Sequence, residues 1–180
     1  MRKLFLYVSM ALLLAFLSGC AQSAPGTDTE PNAAGRTDIT ELAASEVREY
    51  EGKDLSSILD FRENSIAGPQ YVDIDTYTLT VDGLVENPTE YTYDEVLQNT
   101  PYKKAVTLYC VEGWSADILW EGILLKDLFE DVQVTGEANT VIFHSYDDYT
   151  TSLPLQTILD KDIIIAYKMN GVELPPERGF

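Results

Sequence analysis

Cys110 is the side chain in this sequence best equipped for chemistry. It lies in Tyr109-Cys110-Val111-Glu112-Gly113-Trp114, at the end of a strand-forming run from Ala105 to Cys110. The chain has two cysteines, and the other, Cys20, closes a basic-then-apolar leader. Cys110 is thus left without an intrachain disulfide partner, which asks for an explanation in an oxidising compartment. Three stand open: a thiolate that ligates a soft metal, a thiol doing redox chemistry alone, and a buried cysteine acting as a small apolar side chain. His144 is the single histidine and falls on an apolar strand pattern, where a hydrogen-bonded core role is expected. Asp147-Asp148 fits a solvated turn, and Trp114 and Trp120 fit packing anchors. The sequence has no oxygen-ligand loop of calcium spacing, no Gly-rich phosphate loop and no Gly-x-Ser-x-Gly elbow.

The chain that must position Cys110 has 180 residues, 45% of them apolar, enough for one medium-sized folded domain. Acidic residues outnumber basic ones 30 to 12, giving a formal charge of −18. A surface this acidic repels phosphate backbones, so nucleic acid is excluded as a partner. Arg2 and Lys3 precede an apolar run from Leu4 to Phe16, of signal-peptide rather than membrane-spanning length. Leu17-Ser18-Gly19-Cys20 follows and resembles the bacterial lipobox, in which the cysteine is lipidated and becomes the mature N-terminus. The expected organisation is a signal peptide over 1–19, a flexible linker over 20–38 with almost no large apolar side chain, and a folded domain over 39–180. The expected location is the outer side of the cell membrane, held by a lipid anchor.

Within the domain, Leu55, Ile58, Leu59 and Phe61 suit a short helix capped by Asp54, before Gly68-Pro69 breaks the chain. Ile74 to Val81 reads as a strand turned by Asp82-Gly83. Thr92 and Glu95 have capping-box spacing for a helix through Leu97. Short strands are expected over Ile118 to Trp120 and Tyr149 to Leu153, and a buried one over Thr140 to His144. Helices are expected over Leu124 to Phe129 and after Pro154. A last strand from Asp162 to Tyr167 ends at Asn170-Gly171. Short helices among strands of unequal length argue for an α+β fold.

The Cys-Val-Glu-Gly-Trp segment, followed by Trp120-Glu121-Gly122-Ile123 and Leu125-Lys126-Asp127-Leu128, resembles the molybdopterin-binding domain of the sulfite oxidase family. The branch containing the bacterial periplasmic methionine sulfoxide reductase is the most similar. Val81-Asp82-Gly83-Leu84-Val85, Asn87-Pro88, Ala166-Tyr167-Lys168-Met169-Asn170-Gly171 and Pro175-Pro176-Glu177-Arg178-Gly179-Phe180 extend the resemblance from about Phe61 to Phe180. It implies an α+β fold with mixed β-sheets and short helices, a molybdenum–molybdopterin cofactor, and oxygen-atom transfer on a small sulfite- or sulfoxide-like substrate. By the same resemblance Cys110 is the molybdenum ligand, Asn64, Ser145 and Arg178 contact the cofactor, and Tyr167 is catalytic. Asp147 is the second choice for the contact assigned to Ser145, and a membrane electron-transfer partner is expected.

Two departures from the family pattern stand beside this. The family continues past Phe180 into a phosphate-gripping segment, so the chain is expected to be a fragment whose last strand leaves Ile163, Ile164 and Ile165 exposed on an unpaired edge. Arg2-Lys3 is not a paired-arginine export signal, which implies export unfolded and empty. The alternative is therefore a non-catalytic, lipid-anchored surface binding protein that keeps the fold without the cofactor. Cells expressing the chain are expected to yield a membrane-fraction product beginning at an acylated Cys20; mass spectrometry finding an unmodified N-terminus at Ala21 or beyond would overturn this.

Overall fold

The computed structural model describes residues 38–179. The signal segment, Cys20 and the linker up to residue 37 lie outside the described residues. Asp38 opens the first helix, α1 (Ile39–Ala43), its carboxylate accepting the Thr40 N–H at 2.8 Å. Two small antiparallel pairs follow, β1 (Glu49–Tyr50) with β2 (Lys53–Asp54) and β3 (Thr78–Val81) with β4 (Thr89–Thr92). Then come α2 (Tyr93–Gln98), β5 (Tyr102–Tyr109), β6 (Ser115–Leu124), α3 (Leu125–Val132), β7 (Thr140–His144), β8 (Thr150–Pro154), α4 (Leu155–Lys161), β9 (Ile164–Met169) and β10 (Val172–Glu173). A 3-10 turn, Pro176–Arg178, ends the described chain. The main sheet runs β10-β9-β6-β5, and every pairing in it is antiparallel. The α+β class is as the sequence predicts.

The middle of this sheet is covered on both faces. One core cluster joins Ile123, Tyr167 and Tyr91 to the buried faces of α3 and α4, through Leu125, Leu128, Phe129, Val132 and Ile158. The other joins Ala116, Ile118 and Met169 to Leu42 of α1, Ile58, Val172 and Leu174. β6 runs for ten residues, much longer than Ile118 to Trp120, because two residues disguise its pattern. Glu121 is tolerated because Lys103 and Lys168, on the flanking strands, bring ammonium groups to 3.2 and 3.7 Å.

Gly122 marks a bulge. Glu121 pairs with Lys168 but Gly122 pairs with Ala166, which leaves Tyr167 as the extra residue. A Cβ on Gly122 would lie 2.0 Å from the Ile165 carbonyl oxygen, so no larger residue fits without moving β9.

Elsewhere the local rules decide. The capping box is present: Glu95 donates its N–H to the Thr92 hydroxyl at 3.3 Å and accepts the Thr92 N–H at 2.8 Å. That bond to the Thr92 backbone holds the Glu95 carboxyl below the usual carboxylate range. The helix after Pro154 begins where expected. The expected Leu55–Phe61 helix does not form. Asp54 ends β2, and the Ser56 and Ile58 N–H groups go to the Asp117 carbonyl at 2.9 Å and the Glu46 carboxylate at 2.8 Å instead of to an i−4 carbonyl.

The strand expected from Ile74 starts only at Thr78, since Asp73 folds Asp75 and Thr76 back into a turn. β7 has the expected bounds but alternates rather than being buried, and His144 faces solvent instead of the core. β9 is not an open edge along its whole length: it pairs with β6 throughout and with β10 at its end. Ile163, Ile164 and Ile165 are half-buried. Gly122→Ala is expected to cost about 2–3 kcal/mol through this backbone collision, read as a lower urea midpoint with unchanged slope.

Candidate functional site

The β5–β6 hairpin explains why a cysteine sits where it does. Tyr109 and Ser115 form its last ladder pair. Beyond them the Cys110 N–H donates to the Trp114 carbonyl at 2.9 Å, and the Gly113 N–H to the Cys110 carbonyl at 3.0 Å. Gly113 has φ +86°, the left-handed position that closes a three-residue hairpin loop. The Cys110 thiol is thereby held half-buried at one end of the main sheet, between the nearly fully exposed Tyr109 (82%) and Val111 (103%). The Asn64 side-chain amide, 46 positions away in sequence, donates to the Cys110 sulfur at 3.6 Å.

Behind this pair is an aromatic brace. The Phe61 ring meets Trp114 and Trp120 edge-on, at centroid separations of 5.4 and 5.9 Å. Arg178 lies over the same ring at 4.9 Å and donates to the Phe61 carbonyl. Both tryptophans are packing anchors, as their sequence context suggests. Burial lowers the Arg178 pKa from its ordinary value, with Glu177 and Glu63 opposing the shift. Its Nε is buried without a hydrogen-bond partner among the described residues.

Three sequence-predicted site residues, Asn64, Cys110 and Arg178, thus converge through Phe61 and Trp114. Two others have their described contacts elsewhere. Ser145 is exposed in the β7–β8 turn, its N–H donating to the Tyr149 carbonyl at 2.8 Å and its carbonyl accepting from Asp148 at 3.1 Å. In the same turn Asp147 accepts the Tyr149 N–H at 3.2 Å. Tyr167 is 4% exposed in the α3–α4 core cluster. It sits at the bulge, about 20 Å along β6 from the Cys110 end at the usual rise per residue. Burial, and secondarily Glu121, push its phenol pKa up. This is a core tyrosine and not a neighbour of the Cys110 sulfur.

Sequence reasoning missed the residue that secures the whole corner, Asn170. It is fully buried, with φ +47° in the two-residue β9–β10 turn. Its N–H donates to the Leu119 carbonyl at 2.7 Å, and its side-chain oxygen accepts the Leu119 N–H at 3.0 Å. Its side-chain amide donates to Glu46 at 2.9 Å and to the Ser56 carbonyl at 2.8 Å, while its carbonyl accepts the Val47 N–H at 2.8 Å. The signal was available: Asn-Gly between two apolar runs is a strong marker of a tight hairpin.

Among the described residues no group of three or more His, Cys, Asp or Glu side chains could hold a metal alone. A metal at Cys110 would take one protein sulfur and draw its other ligands from a cofactor. The half-buried thiol with its amide donor, and the unpartnered Arg178 Nε on the far side of Phe61, fit a sulfur-rich, phosphate-bearing group of that kind.

The architecture is the sulfite oxidase-type molybdopterin-binding fold. The sulfane dehydrogenase SoxCD from Paracoccus pantotrophus superposes with a TM-score of 0.58 at 17% identity, covering 87% of this chain and 49% of that one. The family model "Oxidoreductase molybdopterin binding domain" matches residues 66–180, and the chain belongs to that family. Cys110, Ser145, Tyr167 and Arg178 lie inside the matched stretch; Asn64 lies just before it.

Among curated proteins, the uncharacterized oxidoreductase YuiH of Bacillus subtilis is 37% identical over 113 residues, 62% of this chain and 57% of that protein. The putative protein-methionine-sulfoxide reductase subunit YedZ1 of Azospira oryzae is 36% identical, over 61% of this chain and 42% of that protein. The protein-methionine-sulfoxide reductase catalytic subunit MsrP of Ralstonia nicotianae is 27% identical, over 57% and 36%. These relatives support the sulfoxide-reductase-like branch read from the motifs, and the chain spans about half the length of the nearer two. Phe61→Leu removes the ring contacts and is expected to cost about 1–2 kcal/mol, measured by urea unfolding.

Proposed function

We propose that this chain is the cofactor-binding part of a molybdenum oxidoreductase that exchanges an oxygen atom with a small sulfoxide-like substrate, with Cys110 as the protein ligand to the metal. The observation that carries this reading is the Asn64 amide aimed at the Cys110 sulfur, at a hairpin end whose sequence is the family's cysteine motif. An N–H donor there stabilises negative charge on sulfur, which a metal-binding thiolate requires and a buried structural cysteine does not. The exposed Tyr109 and Val111 offer apolar contact to the thioether part of a substrate. The formal charge of −18 favours a neutral sulfoxide over dianionic sulfite.

Bound here, the molybdenum cofactor supplies the two-electron exchange: a sulfoxide takes two electrons and two protons and leaves as thioether and water. The chain's own residues do the holding. Cys110 ligates, Asn64 orients the sulfur, and Arg178 offers a cation to the cofactor's phosphate. Ser145, bonded within the β7–β8 turn, and Tyr167, packed in the core, were suggested by the family resemblance for cofactor and substrate, and the proposed site does not use them. The lipidated Cys20 would hold the domain outside the cell membrane, beside a membrane electron-transfer partner.

Isolated from molybdenum-replete cells, the chain is expected to carry about one molybdenum per chain. Viologen-linked reduction of dimethyl sulfoxide should accompany it, and Cys110→Ser should lose that activity with an unchanged melting profile. A folded, molybdenum-free wild type would favour the non-catalytic binding module. Equal activity in the variant would remove Cys110 from the mechanism.

A further inference from the structure

Asn64 lies in a stretch with no regular structure, between β2 and β3, and its own hydrogen bond is to the Cys110 sulfur. Its position must therefore come from where that stretch is tied down. One tie is Phe61, three residues upstream, gripped by Trp114, Trp120 and Arg178. The other is a polar knot at Ser56–Ile58. The Glu46 side chain is only 3% exposed. One of its oxygens accepts the Ser57 hydroxyl at 2.6 Å, and the other accepts the Ile58 N–H at 2.8 Å and the Asn170 amide at 2.9 Å. Asn170 in turn is bonded to Leu119 in the strand that leads back to the Cys110 hairpin.

From this geometry we infer that Glu46 and Asn170 are positioning residues for the Cys110 site: they lock the 56–58 turn to β6 so that Asn64 arrives at the sulfur. The inference rests on the reading of Cys110 as the functional thiolate. Without the Glu46 carboxylate, the buried Ile58 N–H loses its acceptor and the Asn170 amide loses one of its two. Ser56 keeps its bonds to Asp117 and Asn170, but Ser57 and Ile58, which lead on to Phe61 and Asn64, lose their polar hold, and Asn64 is loosened. Neither residue touches the sulfur, so both act through Asn64.

The test is the alkylation rate of Cys110 in the metal-free full chain, with iodoacetamide as probe, well below the melting temperature. Mass spectrometry of the Cys110 peptide keeps Cys20 out of the signal. Measured at a pH where the thiol is fully ionised in every variant, so that loss of the Asn64 donor cannot lower the thiolate fraction, Asn64→Ala should speed alkylation about three- to tenfold by uncovering the sulfur, the scale of one lost hydrogen bond. Glu46→Ala should speed it at least about twofold, and the double variant should be no faster than Asn64→Ala. Glu46→Gln should stay within about twofold of wild type, because its amide oxygen still accepts from Ile58 and Asn170 and the Ser57 hydroxyl turns to accept from the new NH2.

If Glu46→Ala does not fold, Ser57→Ala carries the test, removing one bond of the knot for an expected increase of about twofold. A folded Glu46→Ala, or in its place Ser57→Ala, that alkylates at the wild-type rate would overturn the positioning role; so would effects that multiply in the double variant. Molybdenum content, measured in parallel, separates the two readings. The full thiol response in a chain that never holds molybdenum overturns the metal assignment alone, and an unchanged thiol rate with full molybdenum loading overturns the positioning role alone.

Discussion

One asparagine holds three separate pieces of chain in register. Asn170 has its N–H, its carbonyl and both ends of its side-chain amide bonded, and it is fully buried. A buried amide is stabilising only when every donor and acceptor is matched, since each orphan would cost about 1–3 kcal/mol. Here the partners are the centre of β6, the segment after α1, and the turn after β2. The sheet, the N-terminal cover and the loop that reaches Cys110 therefore share one fixed point. Its positive φ is what a tight hairpin turn demands, so the same residue sets the β9–β10 connection and the interior contact.

The sheet reaches its Cys110 end through two constraints that are both steric. At the Cys110 end, Gly113 lets the hairpin close in three residues and keeps the thiol beside Trp114. Farther along, Gly122 lets β9 bulge against β6, so that Tyr167 packs with α3 and α4 while Met169 packs with Ile58 and Val172. The bulge is why one strand can serve two cores. It is also why a tyrosine close to Lys168 and Met169 in sequence ends up in the interior, away from the sulfur.

The fold was legible wherever local chemistry and tertiary packing agree. The Thr92–Glu95 capping box, the Pro154 helix start, β5, α3 and the bounds of β7 follow from side chains that act on their own backbone or alternate in a simple pattern. The Leu55–Phe61 helix was misread because its apolar spacing is helical while its N–H groups are claimed by Glu46 and Asp117, one nine or more positions upstream and the other far downstream. Of the proposed site, Asn64, Cys110 and Arg178 stand out in the sequence through short motifs. Glu46 does not, because a single acidic residue in an acidic chain carries no pattern, and its role exists only once residue 170 is folded beside it.

The spacing of these contacts also orders the site in time. Cys110 and Trp114 are joined within a local hairpin, whereas the Glu46–Asn170 bond spans 124 positions. Closing a short loop loses far less chain entropy than bringing distant segments together, and contacts of long separation form late. A hairpin that closes first would present the sulfur before the Glu46–Asn170 bond ties in the 56–58 turn. On that order the corner would have an uncovered stage in folding, with the thiol in place and Asn64 not yet beside it, in which a bulky group has room to enter.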